Sequence, residues 1–178
     1  VQQHRLRRRL KVMAEVDELT QLPNRRCILA LAHAMAQGRR AQDLPMCLAV
    51  LDVDHFKQVN DNYGHSVGDL ALQHLTEVMR SNVRNVDTVA RLGGEEFVIV
   101  MPDADIEVAV SVAERVRGLV GDQAFRISGD AGALAVTISV GVATTRDPTE
   151  TTEALIGRAD EALYRAKGNG RNCVRSAE

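Results

Sequence analysis

Arg91-Leu92-Gly93-Gly94-Glu95-Glu96-Phe97-Val98-Ile99-Val100 decides how this chain folds. Val89-Ala90-Arg91-Leu92 and Phe97-Val98-Ile99-Val100 are short and rich in β-branched or apolar residues, so two strands are expected. Gly93 and Gly94 between them supply the positive φ angles of a tight hairpin turn. Two carboxylates follow the bend at once, and strand alternation sends Glu95 and Glu96 to opposite sides of the ribbon. A glycine turn admits a ligand, and a carboxylate beside it can hold a hard cation. Taken alone, such a tip is more often a solvated hairpin end with two surface charges, so its surroundings must decide.

Upstream, Met46-Cys47-Leu48-Ala49-Val50-Leu51 is a near-continuous apolar run, as expected of a strand covered on both faces. It ends abruptly in Asp52-Val53-Asp54. A helix with Ile28, Leu31, Ala32 and Met35 buried precedes it, with Gly38 as its stop. From Ser66 a 3.6-residue period aligns Val67, Leu70, Ala71, His74, Leu75 and Val78, fading near Arg80 to Arg84. Beyond the hairpin, closed by Pro102, come a helix with Ala109, Val112, Ala113, Val116, Leu119 and Val120 inward and a half-buried strand, Val136 to Val142. A last helix carries Leu155, Ala159, Ala162, Leu163 and Ala166 inward and ends at Lys167-Gly168. This order, helix-β-helix-ββ-helix-β-helix, predicts an α+β sandwich with helices packed on a largely antiparallel sheet.

The 178 residues suit one domain with a short appendage. A net charge of −2 exerts no general pull on nucleic acid, and 3% aromatics without Trp provide no base-stacking platform, so no nucleic-acid partner is expected. Cys27, Cys47 and Cys173 are odd in number and lack Cys-x-x-Cys spacing, which points to reduced thiols and a cytoplasmic setting. No apolar stretch reaches membrane-spanning length, although a parent protein can still be membrane-anchored. The chain begins with Val, so a longer parent is expected. Residues 1–16 carry a basic run with Leu6, Leu10 and Met13 on one stripe, expected to be a connecting helix or short coiled-coil seam entering the 17–178 domain.

Asp52 ends one interior strand and Glu95 begins another, so the two converge if the strands are neighbours. Mg²⁺ takes oxygen ligands and commonly only one or two carboxylates. Asp54 shares the Asp52 face, and the Val53 carbonyl is also available. An EF-hand is excluded, because Lys57 and Tyr63 stand where that loop needs Gly and Glu. A Walker A loop is absent too, leaving Lys57, Lys167 and Arg171 as candidate phosphate partners. Ser66-x-x-Asp69 fits a capping box, while Asp69 can instead accept from the N1 and N2 donors of guanine, with Asn60 completing a base pocket.

Asp17-Glu18-Leu19-Thr20 with Leu22-Pro23-Asn24-Arg25-Arg26, Asp52-Val53-Asp54-His55-Phe56-Lys57-Gln58-Val59-Asn60-Asp61, Gly64-His65, Gly68-Asp69 and Gly93-Gly94-Glu95-Glu96-Phe97 together resemble the GGDEF domains, the bacterial diguanylate cyclases, in the Gly-Gly-Glu-Glu-Phe variant. Ser139-Val140-Gly141-Val142 and the stretch from Ala159-Asp160 to Arg171-Asn172 fit as well, so the resemblance spans about residues 15 to 175. Gln21 departs from it, standing where the family usually has Gly.

The resemblance implies a central, mostly antiparallel five-stranded sheet flanked by helices, similar to the palm of nucleotidyl cyclases and polymerases. It implies joining of two GTP molecules into cyclic di-GMP with release of two pyrophosphates, in a signalling role under an upstream sensor domain. Asp52, the Val53 carbonyl and Glu95 would hold two Mg²⁺ ions, for which Mn²⁺ can substitute, in two-metal phosphoryl transfer. Glu96 and Lys57 join Asp52 and Glu95 in the catalytic set. Asn60 and Asp69 would bind guanine, Phe56 and His65 would shape its pocket, and Gly93 and Gly94 would admit the α-phosphate. Lys57, Lys167 and Arg171 would neutralise the β- and γ-phosphates. Each domain would hold one GTP, so catalysis implies a two-fold homodimer. Arg84-x-x-Asp87, with Arg115, resembles the family's product-inhibition site; Asp87 lies six residues before the turn, roughly 20 Å along an extended strand, on another surface. The alternative is a catalytically silent module that binds GTP or cyclic di-GMP and passes on a signal.

Overall fold

The structure, a computed structural model, describes residues 15–40, 42–127, 129 and 132–177. The stripe on residues 6–13 lies outside the described residues. Helix α1, Arg25–Arg40, starts where the Asn24 side chain accepts from the Cys27 amide at 3.0 Å, and it runs on through Gly38. A helical glycine costs only about 1 kcal/mol, so Gly38 alone does not stop it. Strand β1, Met46–Val53, is followed by helix α2, Phe56–Tyr63, and helix α3, His65–Asn82. The hairpin is β2, Thr88–Gly93, with β3, Glu96–Pro102. Helix α4, Ile106–Asp122, a two-residue pair β4, Phe125–Arg126, and β5, Ala133–Leu134, and strand β6, Ile138–Thr144, come next. Helix α5, Thr152–Gly168, and strand β7, Val174–Ser176, complete the order.

The five-stranded sheet has the order β2-β3-β1-β6-β7. The ladders β2–β3, β3–β1 and β1–β6 are antiparallel and β6–β7 is parallel, so the sheet is mixed and the expected mostly antiparallel description gives way. The cause is the helical crossover: α5 carries the chain back along β6, and a strand returning through a helix pairs parallel. Three residues of β7 are too few to show alternation in the sequence. Helix α2 gives equally little signal there, because Val59 is its one buried residue.

Strand β1 is buried along its whole length, as its unbroken apolar run predicts. Cys47, Ala49, Leu51 and Val53 face a core shared with α3 and α4, while Met46, Leu48 and Val50 face α1 and α5. The sheet is thus sandwiched between two pairs of helices. Strand β6 departs from the half-buried strand expected over Val136 to Val142, since every residue from Ile138 to Ala143 is buried. Helix α5 lies directly on it: a Cβ added to Gly141 would sit 2.0 Å from the Ala159 carbonyl oxygen. Glycine is required there for close approach.

Candidate active site

Asp52 lies opposite Glu96 in the β1–β3 ladder and opposite Ser139 in the β1–β6 ladder. Glu95 belongs to the turn, and its carbonyl accepts from the Val53 amide at 3.3 Å. Acids from two core strands therefore stand side by side at one end of the sheet. Gly93 (φ 147°) and Gly94 (φ 48°) have open space around them, so backbone conformation, not crowding, demands glycine at the bend. The Arg91 guanidinium braces the turn by donating to the Gly94 carbonyl at 2.7 and 3.0 Å and to Asp17 at 3.1 Å. Burial would raise the Asp17 carboxyl, but bonds from the Thr20 hydroxyl and amide and from Arg91 outweigh it and hold it below its usual value.

The Asp52 carboxylate is buried, and burial pushes its pKa up; Lys167, at 2.8 Å, opposes this, and Glu95 and Glu96 add to it. Lys167, expected to face phosphates, thus pairs with Asp52 here. Lys57, in the first turn of α2, and Arg171, after α5, are exposed. Arg171 and the following Asn172 are both left-handed, at φ 64° and 44°. The oxygen set of Asp52, Glu95, Glu96 and the Val53 backbone is hard and acidic, with one lysine against three carboxylates, which suits a divalent cation bound through one or two carboxylates. Among the described residues no group of three His, Cys, Asp or Glu converges on one point, so water and phosphate oxygens would complete the shell.

Asn60 and Phe56 on α2 press against Gly68 on α3: a Cβ there would meet Asn60 Oδ1 at 1.9 Å and Phe56 Cζ at 3.2 Å. Among the described residues Asn60 Oδ1 is buried without a hydrogen-bond partner, an unmet acceptor of the kind a ligand satisfies. The capping box does not form. Gly64 (φ 88°) is the N-cap of α3, no side chain caps it, and Asp69 is exposed beyond it. His65, the first residue of α3, is exposed on the same side.

Arg84 and Asp87 lie at the α3–β2 connection, away from the bend. Asp87 has no exposed side-chain surface, and it accepts from the Arg84 amide at 2.8 Å and from Arg84 Nη2 at 2.7 Å. Arg84 Nη2 also donates to the Pro102 carbonyl at 2.8 Å, and Arg115 donates to the Asn82 carbonyl. In this arrangement the Asp87 oxygens serve Arg84.

Three residues have roles here that spacing does not show. Asp54 accepts from the Thr137 and Ser139 hydroxyls and from the Asn172 amide, so it is bound by protein donors and not shared with Asp52. Arg91 and Asp17 carry no signal beyond their places in the Arg-x-Gly-Gly and Asp-x-Leu-Thr runs.

The model of the family described as "Diguanylate cyclase, GGDEF domain" matches residues 14–173. The chain is 40% identical over 162 residues to the response regulator PleD of Caulobacter vibrioides, covering 91% of this chain and 36% of PleD. It is 40% identical over 164 residues to the diguanylate cyclase DgcZ of Escherichia coli, covering 92% of this chain and 53% of DgcZ. It thus spans between about a third and about a half of these relatives. The crystal structure of the coiled coil and GGDEF domain of DgcB from Caulobacter crescentus in complex with c-di-GMP is similar at TM-score 0.92 and 32% identity, over 99% of this chain and 94% of that one.

Proposed function

This chain belongs to the GGDEF family of diguanylate cyclase domains, and from that premise we propose that it condenses two GTP molecules into cyclic di-GMP with release of two pyrophosphates. The observation that carries this is the pairing of Asp52 with Glu96 across β1 and β3, beside a bend that only glycine can make. Asp52, Glu95 and the Val53 carbonyl are the groups that would hold Mg²⁺. When bound, the metal supplies Lewis-acid activation of a hydroxyl and charge neutralisation on phosphate oxygens.

Asn60, with its unmet acceptor, and Asp69, exposed beside it, bind the guanine edge; Gly68 leaves room between α2 and α3 for the Asn60 side chain, which a methyl would displace. Phe56 and His65 wall this pocket. Lys57 and Arg171 neutralise phosphate oxygens, and Lys167 shares its charge between them and Asp52. Gly93 and Gly94 let the nucleotide approach the backbone, and Glu96 supports the reacting hydroxyl. One site holds one GTP, so two copies of the domain meet face to face, set by the N-terminal segment under an upstream sensor. Arg84 and Arg115 are the donors of a product-binding surface remote from the bend, with Asp87 holding Arg84 in place. The domain works in the cytoplasm; among the described residues no helix is long and apolar enough to cross a membrane.

Purified protein at high concentration, incubated with GTP and Mg²⁺ and resolved by nucleotide chromatography, tests this. Cyclic di-GMP and pyrophosphate are expected from the wild type and none from Glu95→Gln. A wild type that binds GTP without turning it over would return the chain to a silent nucleotide-binding module.

A further inference from the structure

Spacing makes Asp54 a partner of Asp52, but the structure gives it other work. Its carboxylate is buried and takes three donors: Ser139 Oγ at 2.6 Å, Thr137 Oγ1 at 2.7 Å and the Asn172 amide at 3.0 Å. Its own amide donates to the Thr137 carbonyl at 2.9 Å. A buried carboxylate is tolerated when such donors satisfy its oxygens.

The third donor is the informative one. Asn172 (φ 44°) and Arg171 (φ 64°) are consecutive left-handed residues, and neither is glycine. Asn tolerates that conformation, but Arg disfavours it, and at Arg171 it persists only where the surroundings over-determine it. Three ties do so. The Arg171 amide donates to the Ala166 carbonyl at 3.1 Å, Arg117 Nη1 donates to Asn172 Oδ1 at 2.9 Å, and Asp54 holds the Asn172 amide. Of these, only Asp54 ties the loop to the end of the strand that carries Asp52.

We propose that Asp54 is a positioning residue: by holding the Asn172 amide it locks the left-handed Arg171–Asn172 pair and so fixes the backbone of Arg171, four residues after the Lys167 that pairs with Asp52. Asp54 does not itself touch the nucleotide. Its effect on catalysis rests on the GTP reading above; the lock itself does not.

Asp54→Asn keeps the size and removes the charge, and two measurements read it separately. Hydrogen exchange of the amides of residues 169–174, followed by mass spectrometry on the whole protein, should quicken about tenfold or more in D54N while the core strands stay protected. Binding of a non-hydrolysable GTP analogue should weaken about tenfold, with KM for GTP raised more than kcat is lowered and the Mg²⁺ half-saturation unchanged. Glycine adopts the left-handed conformation without strain. D54N/R171G, which keeps the other two ties, should therefore recover slower loop exchange and a higher Tm than D54N, which keeps the test open if D54N alone folds poorly. Unchanged loop exchange in D54N overturns the lock, whatever the nucleotide data say. Full recovery of D54N activity by excess Mg²⁺ also overturns it, assigning Asp54 to the cation instead. A wild type that binds no analogue overturns the GTP reading, and the exchange data still decide the lock.

Discussion

Gly141→Ala puts the packing of α5 on β6 to a quantitative test. The added methyl would stand 2.0 Å from the Ala159 carbonyl oxygen, 2.3 Å from the Leu163 nitrogen and 2.9 Å from Leu163 Cα, where ordinary contact begins at 3.4 Å. All three atoms are helix backbone, so no rotamer change relieves the clash and α5 must withdraw by more than 1 Å. Overpacking typically costs about 1–3 kcal/mol, and a rigid backbone obstacle puts this case near about 3 kcal/mol. Domains of this length lose about 2–4 °C of Tm per kcal/mol, so a fall of about 6–12 °C is expected. Because α5 delivers Lys167 to within 2.8 Å of Asp52, turnover should fall as well. Gly157→Ala is the control: it lies on the exposed side of the same helix, and its Cβ would meet nothing within 4 Å. That change should stabilise by about 0.5–1 kcal/mol. Thermal unfolding followed by circular dichroism reads both, and a Gly141→Ala protein melting within about 2 °C of wild type would refute the packing.

Asp52→Asn tests the charge at the site. Burial, helped by Glu95 and Glu96 against Lys167, raises the Asp52 pKa on folding. Such a group contributes stability below its unfolded pKa and loses that contribution as pH rises through the raised value. The neutral variant should thus melt at an equal or higher temperature at pH 7 while losing turnover; a lower Tm would mean that the Lys167 ion pair outweighs the cost of burying the charge. Gly68→Ala should displace Asn60, whose oxygen lies 1.9 Å from the new methyl, and weaken guanine nucleotide binding about tenfold for the one or two hydrogen bonds lost, by calorimetry. Asn60 is a side chain that can swing aside, so Tm should barely move. Arg84→Ala takes the guanidinium from Asp87 and leaves it the backbone amide bond; with the Arg84 side chain 32% exposed, the cost is less than the ~3–5 kcal/mol of breaking a fully buried pair. The change should still lower Tm by scanning calorimetry, so Arg115→Ala, which gives up only bonds to the Asn82 carbonyl, is the cleaner probe of product inhibition.

Gln21 shows how a local departure is absorbed. It adopts φ 58°, where the resembled family has glycine, and its own bonds offset the strain: its amide donates to the Asp17 carbonyl, and its carbonyl accepts from Arg80.

By itself the sequence determined four of the strands, β1, β2, β3 and β6, and most of the helices, because apolar periodicity and glycine placement are local: the buried β1 run, the Gly-Gly bend and the inward stripes of α3, α4 and α5 each follow from a few neighbouring residues. It also placed Asp52 and Glu95 at strand ends and raised the question of their meeting. Only the tertiary structure decided the partners, since a hydrogen bond across |i−j| of 118, from the Asn172 amide to Asp54, leaves no trace in spacing. The same holds for Lys167 on Asp52, for Arg91 on Asp17, and for the parallel docking of β7, where three residues too few to carry a pattern are held by a ladder that exists only once α5 has crossed the sheet.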